Sequence, residues 1–168
     1  IKGLCINMFH SEWKTLIEIP GFISFMNTPI LRATKGKNTK LFYNDGEYNT
    51  WKESLNGNTK GWKIKYFKGL GTSTSKEFKE YFANKKIVDF VYTGSDSDNM
   101  IDKVFNKKRA DDRKRWLGQY DKDAFLDTSQ IQVKYEDFID KELIHFSTSD
   151  CERSIPNVID GLKTSQRK

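Results

Sequence analysis

Residues 66–82 read Tyr66-Phe67-Lys68-Gly69-Leu70-Gly71-Thr72-Ser73-Thr74-Ser75-Lys76-Glu77-Phe78-Lys79-Glu80-Tyr81-Phe82, a strand joined to a helix through two glycines. Gly69 and Gly71 open backbone dihedrals that are closed to other residues. Thr74, with Glu77 three positions on, forms a capping box that starts the helix. The unpaired amides and positive dipole end of such a helix favour an anion, and Lys68 just ahead adds a second attraction. Phe78, Tyr81 and Phe82 recur at helical spacing and predict a core face that holds the turn rigid. An ordinary strand-to-helix turn accounts for the same residues. A nucleotide P-loop does not, because no Gly-Lys-Ser/Thr follows Gly71.

Working outward, residues 62–67 alternate as a half-buried strand feeding the glycines. Upstream, residues 1–18 predict a helix buried on most sides, with Cys5 as a small core residue, stopped by Pro20-Gly21. Residues 22–34 and 40–44 predict a hairpin around Lys35-Gly36-Lys37-Asn38. Asp45 is placed to cap a short helix with Tyr48, Trp51 and Leu55 on its apolar side, ended by Gly57. Downstream come a strand over 87–92, a polar break at Thr93–Asp98 and helical signal over 99–120. A loop follows at 121–132, then a helix over 135–146, a loop at Ser147–Asp150 and a further helical unit near Pro156. The chain opens on Ile1 without an initiator Met and stops at Gln166-Arg167-Lys168 in mid-pattern, so it reads as a piece of a longer protein.

The 168 residues are 36% hydrophobic, carry a net charge of +6 and contain no stretch that approaches a membrane span. That charge suits a polyanionic partner. The densest part lies between Lys103 and Arg115, where Lys103, Lys107, Lys108, Arg109, Arg113, Lys114 and Arg115 are interrupted only by Asp111 and Asp112. Such density on a helix is commonly a solvated face, and beside an anion-binding loop it also suits a nucleic-acid backbone. Cys5 and Cys151 lie far apart without metal-ligand spacing, which argues against a disulfide framework or zinc site and fits a reducing compartment. His10 and His145 have no second imidazole or serine nucleophile at useful spacing, so packed or solvated roles are expected. Asp96, Asp98 and Asp102 lack the glycine and terminal glutamate of a calcium loop and read as a turn before a helix.

Lys68 to Glu77 resembles the KGLGTSTSKE signature of eukaryotic-type, or large-DNA-virus, type IIA DNA topoisomerases. Further stretches agree in order. Ile1 to Phe9 is similar to the helix that follows the family's Asp-x-Asp-x-Asp-Gly-Ser-His metal motif, and Asp111-Asp112-Arg113-Lys114 with Trp116-Leu117 is similar to its DDRKxWL. Glu152-Arg153-Ser154-Ile155-Pro156 with Asp160-Gly161-Leu162-Lys163 resembles its ERSIP and DGLKPGQRK, except that Thr164-Ser165 replaces Pro-Gly.

The resemblance implies an α/β chain. Residues 1–92 would be the C-terminal part of a TOPRIM domain around a parallel sheet, 93–130 a basic helical linker, and 131–168 the start of a winged-helix breakage-reunion domain. It implies an ATP-dependent isomerase that passes one duplex through a transient double-strand break in another. Mg2+ and ATP would be its cofactors, double-stranded DNA its substrate, and a homodimer its working form. It would lie in the nucleus if cellular, or in the host cytoplasm or nucleus if viral. The metal-binding acids and cleavage tyrosine would lie outside this chain, so no catalytic residue is assigned. Lys68, Arg113, Lys114, Lys163, Arg167 and Lys168 are the implied DNA contacts. Two other readings stand beside this one: a non-catalytic basic nucleic-acid-binding module, and a gyrase or topoisomerase IV type subunit.

Overall fold

The computed structural model describes residues 1–67, 72–127 and 129–167. Lys68, Gly69, Leu70, Gly71, Thr128 and Lys168 lie outside the described residues. The chain forms two compact units assembled from non-consecutive segments: Ser24–Asp89 with Asp127–Gln132, and Ile1–Ile23 with Phe90–Leu126 and the chain from Val133 onward.

In the first of these, strands β1 (Ser24–Met26), β2 (Leu31–Lys35), β3 (Asn38–Phe42), β4 (Lys63–Tyr66) and β5 (Ile87–Val91) accompany helices α3 (Asp45–Ser54) and α4 (Ser75–Ala83). β2 is central in the order β3-β2-β4, pairing Ala33 with Lys40 on one side and Ile64 on the other. The predicted hairpin is present as β2 and β3, with Gly36 at φ 59° in its turn. Residues 22–34 are not one strand, since β1 leaves for a separate pairing with β5, Phe25 opposite Val88. The mixed α/β class holds, but these pairs are antiparallel where a parallel sheet was expected. The two-residue turn Gly36-Lys37 reverses the chain directly, whereas parallel neighbours need a crossover of a dozen or more residues.

Alternation along β2 buries Leu31 and Ala33, which join Phe42 and Trp51 in one core cluster with Tyr48, Leu55 and Trp62 packed against it. Trp51 meets Phe42 and Trp62 at ring-centroid distances of 5.1 Å each. The cap of α3 is Asn44 rather than Asp45, its side chain accepting from the Glu47 amide at 2.7 Å. Asn44 holds the extended backbone that a cap requires, and Asp45 already sits in the first turn beside the positive dipole end. At the other end Gly57 turns at φ 73°, and its amide bonds the Lys52 carbonyl at 2.9 Å.

The second unit holds α1 (Lys2–Glu12), α2 (Lys14–Ile17), α5 (Ser95–Phe105), α6 (Ala110–Gly118), α7 (Tyr135–Phe138) and α8 (Ile144–Ser154). A π-helical turn over Ile139–Leu143 joins α7 to α8. The core gathers Ile6, Ile17, Phe90, Ile101, Trp116, Tyr135, Phe138, Ile139 and Ile144. Phe90 stacks on Tyr135 at 4.9 Å and meets Phe138 edge-on. Gly3 is buried because a Cβ there would stand 3.1 Å from Phe105, so its absence lets α1 approach α5.

Four expectations change here. α1 is buried only through Gly3 and Ile6, while Leu4, Cys5 and Met8 are exposed; a helix apolar on every side needs partners on every side, and this unit covers one. α5 begins at Ser95, inside the expected break, where the fully buried Ser97 hydroxyl accepts the Thr93 amide and ties the first turn to the chain ahead of it. Ser147–Asp150 lies within α8 rather than in a loop, supported by Arg153 and Ser154 on Asp150. No helical unit starts near Pro156, where one was expected; α8 ends there, because Pro156 forces Ile155 to an extended ψ of 126°. His145 keeps to expectation by taking the packed role, stacked on Phe125 at 4.8 Å, with Nε2 bonded to the Ala124 carbonyl at 2.7 Å.

Candidate nucleic-acid interface

The basic run is built on α5, a 3-10 turn at Lys107–Arg109, and α6. Its side chains divide into two sets. Arg109 is turned inward, donating to Asp112 at 2.6 Å, to the Asn99 side chain at 2.8 Å and to Asp102 at 3.1 Å. The half-buried Arg113 donates to the Asn106 carbonyl. Trp116 is 5% exposed, and its indole N–H reaches Asp140 of the π turn at 2.8 Å. Lys107, Lys108, Lys114 and Arg115 point to solvent.

Asp111 and Asp112 serve as intrahelical partners, though not of Arg113. Asp111 pairs with Lys114 at 2.9 Å, while Asp112 pairs with Arg109 and Arg115. Arg109, then Arg115, hold the Asp112 carboxyl below its ordinary range. Lys114 and Asp111 are about four-fifths exposed (78% and 83%), so water screens their attraction and the lysine can exchange partners at little cost.

The C-terminal cations also divide. Arg167 is held by both oxygens of Asp160, at 2.6 and 2.9 Å. Lys163 is exposed, its backbone amide bonding Gln166 at 2.8 Å before a 3-10 turn over Thr164–Gln166. Among the described residues no carboxylate is recorded on the Lys163 side chain. Lys68 and Lys168, the remaining implied contacts, lie outside the described residues.

The capping box of α4 is present in full: Thr74 Oγ1 accepts from the Glu77 amide and Glu77 accepts from the Thr74 amide. Of the expected core face Tyr81 is buried but Phe82 is 56% exposed. The inward line of α4 runs from Glu77 to Tyr81, one turn apart, and Phe82 lies a further 100° around the axis. The sequence reading missed what Glu77 does. It is 6% exposed, and Lys65 of β4 sits 2.8 Å from both carboxylate oxygens, with Arg32 of β2 at 3.2 Å. Alternation put Arg32 on the β2 face opposite the core, but its partner is 45 residues away in the chain.

Burial alone would raise the Glu77 pKa. The Lys65 ammonium and the Thr74 amide and hydroxyl outweigh burial and bring it from 4.5 to about 2. A depressed folded-state value gives stabilisation that is present above the ordinary pKa and lost as pH falls through the folded one. Between pH 5 and pH 2 the native chain should therefore lose about 3 kcal/mol more stability than Glu77→Gln. Urea unfolding of both at the two pH values checks this, and parallel decline would show that the carboxylate does not titrate as described.

Residues 26–151 match the family described as the C-terminal associated domain of TOPRIM. Over its whole length the chain is 49% identical to DNA topoisomerase 2 of Arabidopsis thaliana and 46% identical to DNA topoisomerase 2-alpha of Rattus norvegicus, covering 12% of each. The crystal structure of the Plasmodium falciparum topoisomerase II DNA-binding, cleavage and re-ligation domain aligns with 99% of this chain and 23% of that one, at TM-score 0.85 and 47% identity. The chain thus spans about an eighth of the curated relatives it matches. From residue 26 to 151 it belongs to the TOPRIM C-terminal associated domain family, and along its whole length it is homologous to a segment of the type II DNA topoisomerases.

Proposed function

We propose that this chain is the DNA-positioning segment of a type II DNA topoisomerase, which changes DNA topology by passing one duplex through a transient break in another. The observation that carries the reading is end-to-end identity near one half with proteins named DNA topoisomerase 2, accompanied by an outward basic set on α6. Those names favour it over a gyrase-type subunit or a free-standing binding module. Duplex DNA as substrate, a homodimer as the working form, Mg2+ and ATP as cofactors, and a nuclear or viral-host location belong to the same proposal. So does the division into a TOPRIM part, a basic linker from about residue 93 and a lead into a winged-helix domain from about residue 131. Among the described residues no three His, Cys, Asp or Glu side chains come together in a set able to hold a metal ion. No described helix is long and apolar enough to cross a membrane.

Within this reading Lys107, Lys108, Lys114, Arg115 and Lys163 meet phosphates, while Arg109 and Arg113 hold the helix in place. Neutralising four to six phosphates gives a slope of log K against log salt of roughly −4 to −5. Lys114→Ala/Arg115→Ala should make that slope about 2 units shallower and leave stability within about 0.5 kcal/mol. Arg113→Ala should keep the slope and lower stability, because the Asn106 carbonyl loses its donor. Fluorescence anisotropy on a labelled 30-base-pair duplex across a salt series is the test. An unchanged slope in the double variant, or affinity indifferent to salt in the native chain, would remove this surface from DNA binding.

A further inference from the structure

Strand β3 is an outer edge of its sheet, since the order β3-β2-β4 leaves one of its sides without a strand. The two-residue turn Gly36-Lys37 sets Lys35 opposite Asn38, and hydrogen-bonded pairs then alternate along the hairpin. Asn38, Lys40 and Phe42 turn their backbone groups toward β2, so the N–H and C=O groups of Thr39 and Leu41 face outward. Among the described residues no strand or loop is recorded on those outward groups. Helix α3 runs beside this edge, and between the two lies an open groove of about 590 Å³. The buried rings of Phe42 and Trp51 form its floor, and Thr50 and Ser54 line its helical side. Glu47, at its far end, is occupied by the Tyr43 amide at 2.8 Å. Lys40 lies 5.9 Å from the Trp51 ring centre, and among the described residues its ammonium meets no carboxylate.

We propose that the groove between β3 and α3 takes an extended peptide, added antiparallel to β3, with an apolar residue over Phe42 and Trp51 and an Asp or Glu two positions later beside Lys40. The outward groups of an edge strand are satisfied by water or by another strand, and main-chain pairing supplies the affinity of such a site. Lys40 and Phe42 share a face two residues apart, so alternate side chains of the added strand meet them in turn. Running antiparallel, that strand reaches Phe42 first and Lys40 second, which sets the order apolar-x-acidic. The unpaired ammonium selects the acid. A second copy of the chain is the poorer occupant, because pairing β3 with its equal brings the Lys37 and Lys40 side chains of two copies together.

The test is fluorescence anisotropy of a labelled peptide, Thr-Thr-Leu-Thr-Glu-Thr-Thr-Thr, titrated with the 168-residue chain. Binding should saturate. Replacing the peptide's Leu by Thr, or N-methylating the Thr between Leu and Glu, should each raise Kd about tenfold: the first empties the groove, and the second removes the donor to the Leu41 carbonyl. Thr39→Pro removes an outward N–H at an edge position where proline is tolerated and should weaken binding by about as much. Lys40→Glu is a surface change that spares the fold, and it should reverse the charge preference, so that the peptide with Lys in place of Glu binds better than the original. No saturable binding, or binding blind to both N-methylation and the charge reversal, would overturn the proposal and leave β3 an edge whose lysine only keeps other strands away. Self-association of the chain through β3 on sedimentation would also overturn it. So would displacement of the peptide by duplex DNA, which would assign Lys40 to a phosphate surface.

Discussion

Trp116→Ala is expected to destabilise the chain by about 3–5 kcal/mol, the cost of removing a large buried aromatic from a packed site. Trp116 is the only core anchor of α6: of the nine residues Ala110–Gly118 it alone is buried, and its indole N–H is held by Asp140 at 2.8 Å. The rest of the helix is mostly charged and gains little from the interior. Without the indole, Arg109 and Arg113 must hold α6 through polar contacts, which are weak where water competes. DNA affinity should fall along with stability, since Lys114 and Arg115 are aimed by the same helix. Trp116→Phe should retain most of the packing and cost about 1–2 kcal/mol, because Asp140 is exposed and can be solvated in place of its lost donor. Urea denaturation with anisotropy on the folded variants checks both. A loss below about 1 kcal/mol for the alanine variant would mean that α6 is held chiefly by its arginines.

Lys68→Ala in the complete enzyme should slow strand cleavage about 100-fold while changing duplex affinity less than threefold. The assignment of Lys68 rests on the KGLGTSTSKE resemblance and on its place in sequence, between β4 and α4. A preorganised cation acts chiefly where negative charge develops in the reaction, whereas one phosphate contact among several contributes modestly to ground-state binding. Lys68→Arg should recover only part of the rate, because a broad planar fork replaces a compact charge. Cleavage and equilibrium binding measured on the same preparations decide the matter. Proportional losses would reduce Lys68 to one more backbone contact.

What could be read from the chain was what is local. The Thr74–Glu77 capping box, the hairpin at Gly36-Lys37 and the stop at Pro20-Gly21 each depend on residues within a few positions of one another, and each is present. What escaped depends on distant partners. Nothing near Glu77 in sequence announces Arg32, 45 residues away. Apolar residues on every side of α1 signalled deep burial, but the number of sides covered is decided by tertiary packing, and Leu4, Cys5 and Met8 stay outside. Ser147–Asp150 looked like a break because those side chains compete for backbone in isolation. Inside the helix Asp150 instead accepts from Arg153 and Ser154 one turn on. The strand period was read correctly, but strand direction was taken from resemblance and not from the turn that sets it.

The π turn at Ile139–Leu143, closed by the Ile144 amide on the Ile139 carbonyl, has a consequence for inheritance as well as for packing. A helix that widens for one turn carries one residue more than an α-helix of the same rise, and each α-helical residue is worth 100° of rotation. Deleting a single residue there would let the turn relax to α geometry while everything after it keeps its place around the axis. Cys151, Arg153 and the approach to Pro156 would then hold their direction relative to Tyr135 and Phe138, whereas the same deletion inside α8 would swing all that follows by about a quarter-turn. Ordinary substitutions in α8 change one side chain at a time, and a one-codon deletion within it would change the phase of every residue beyond. The π turn should therefore tolerate the loss of one residue far better than the regular helix that follows it.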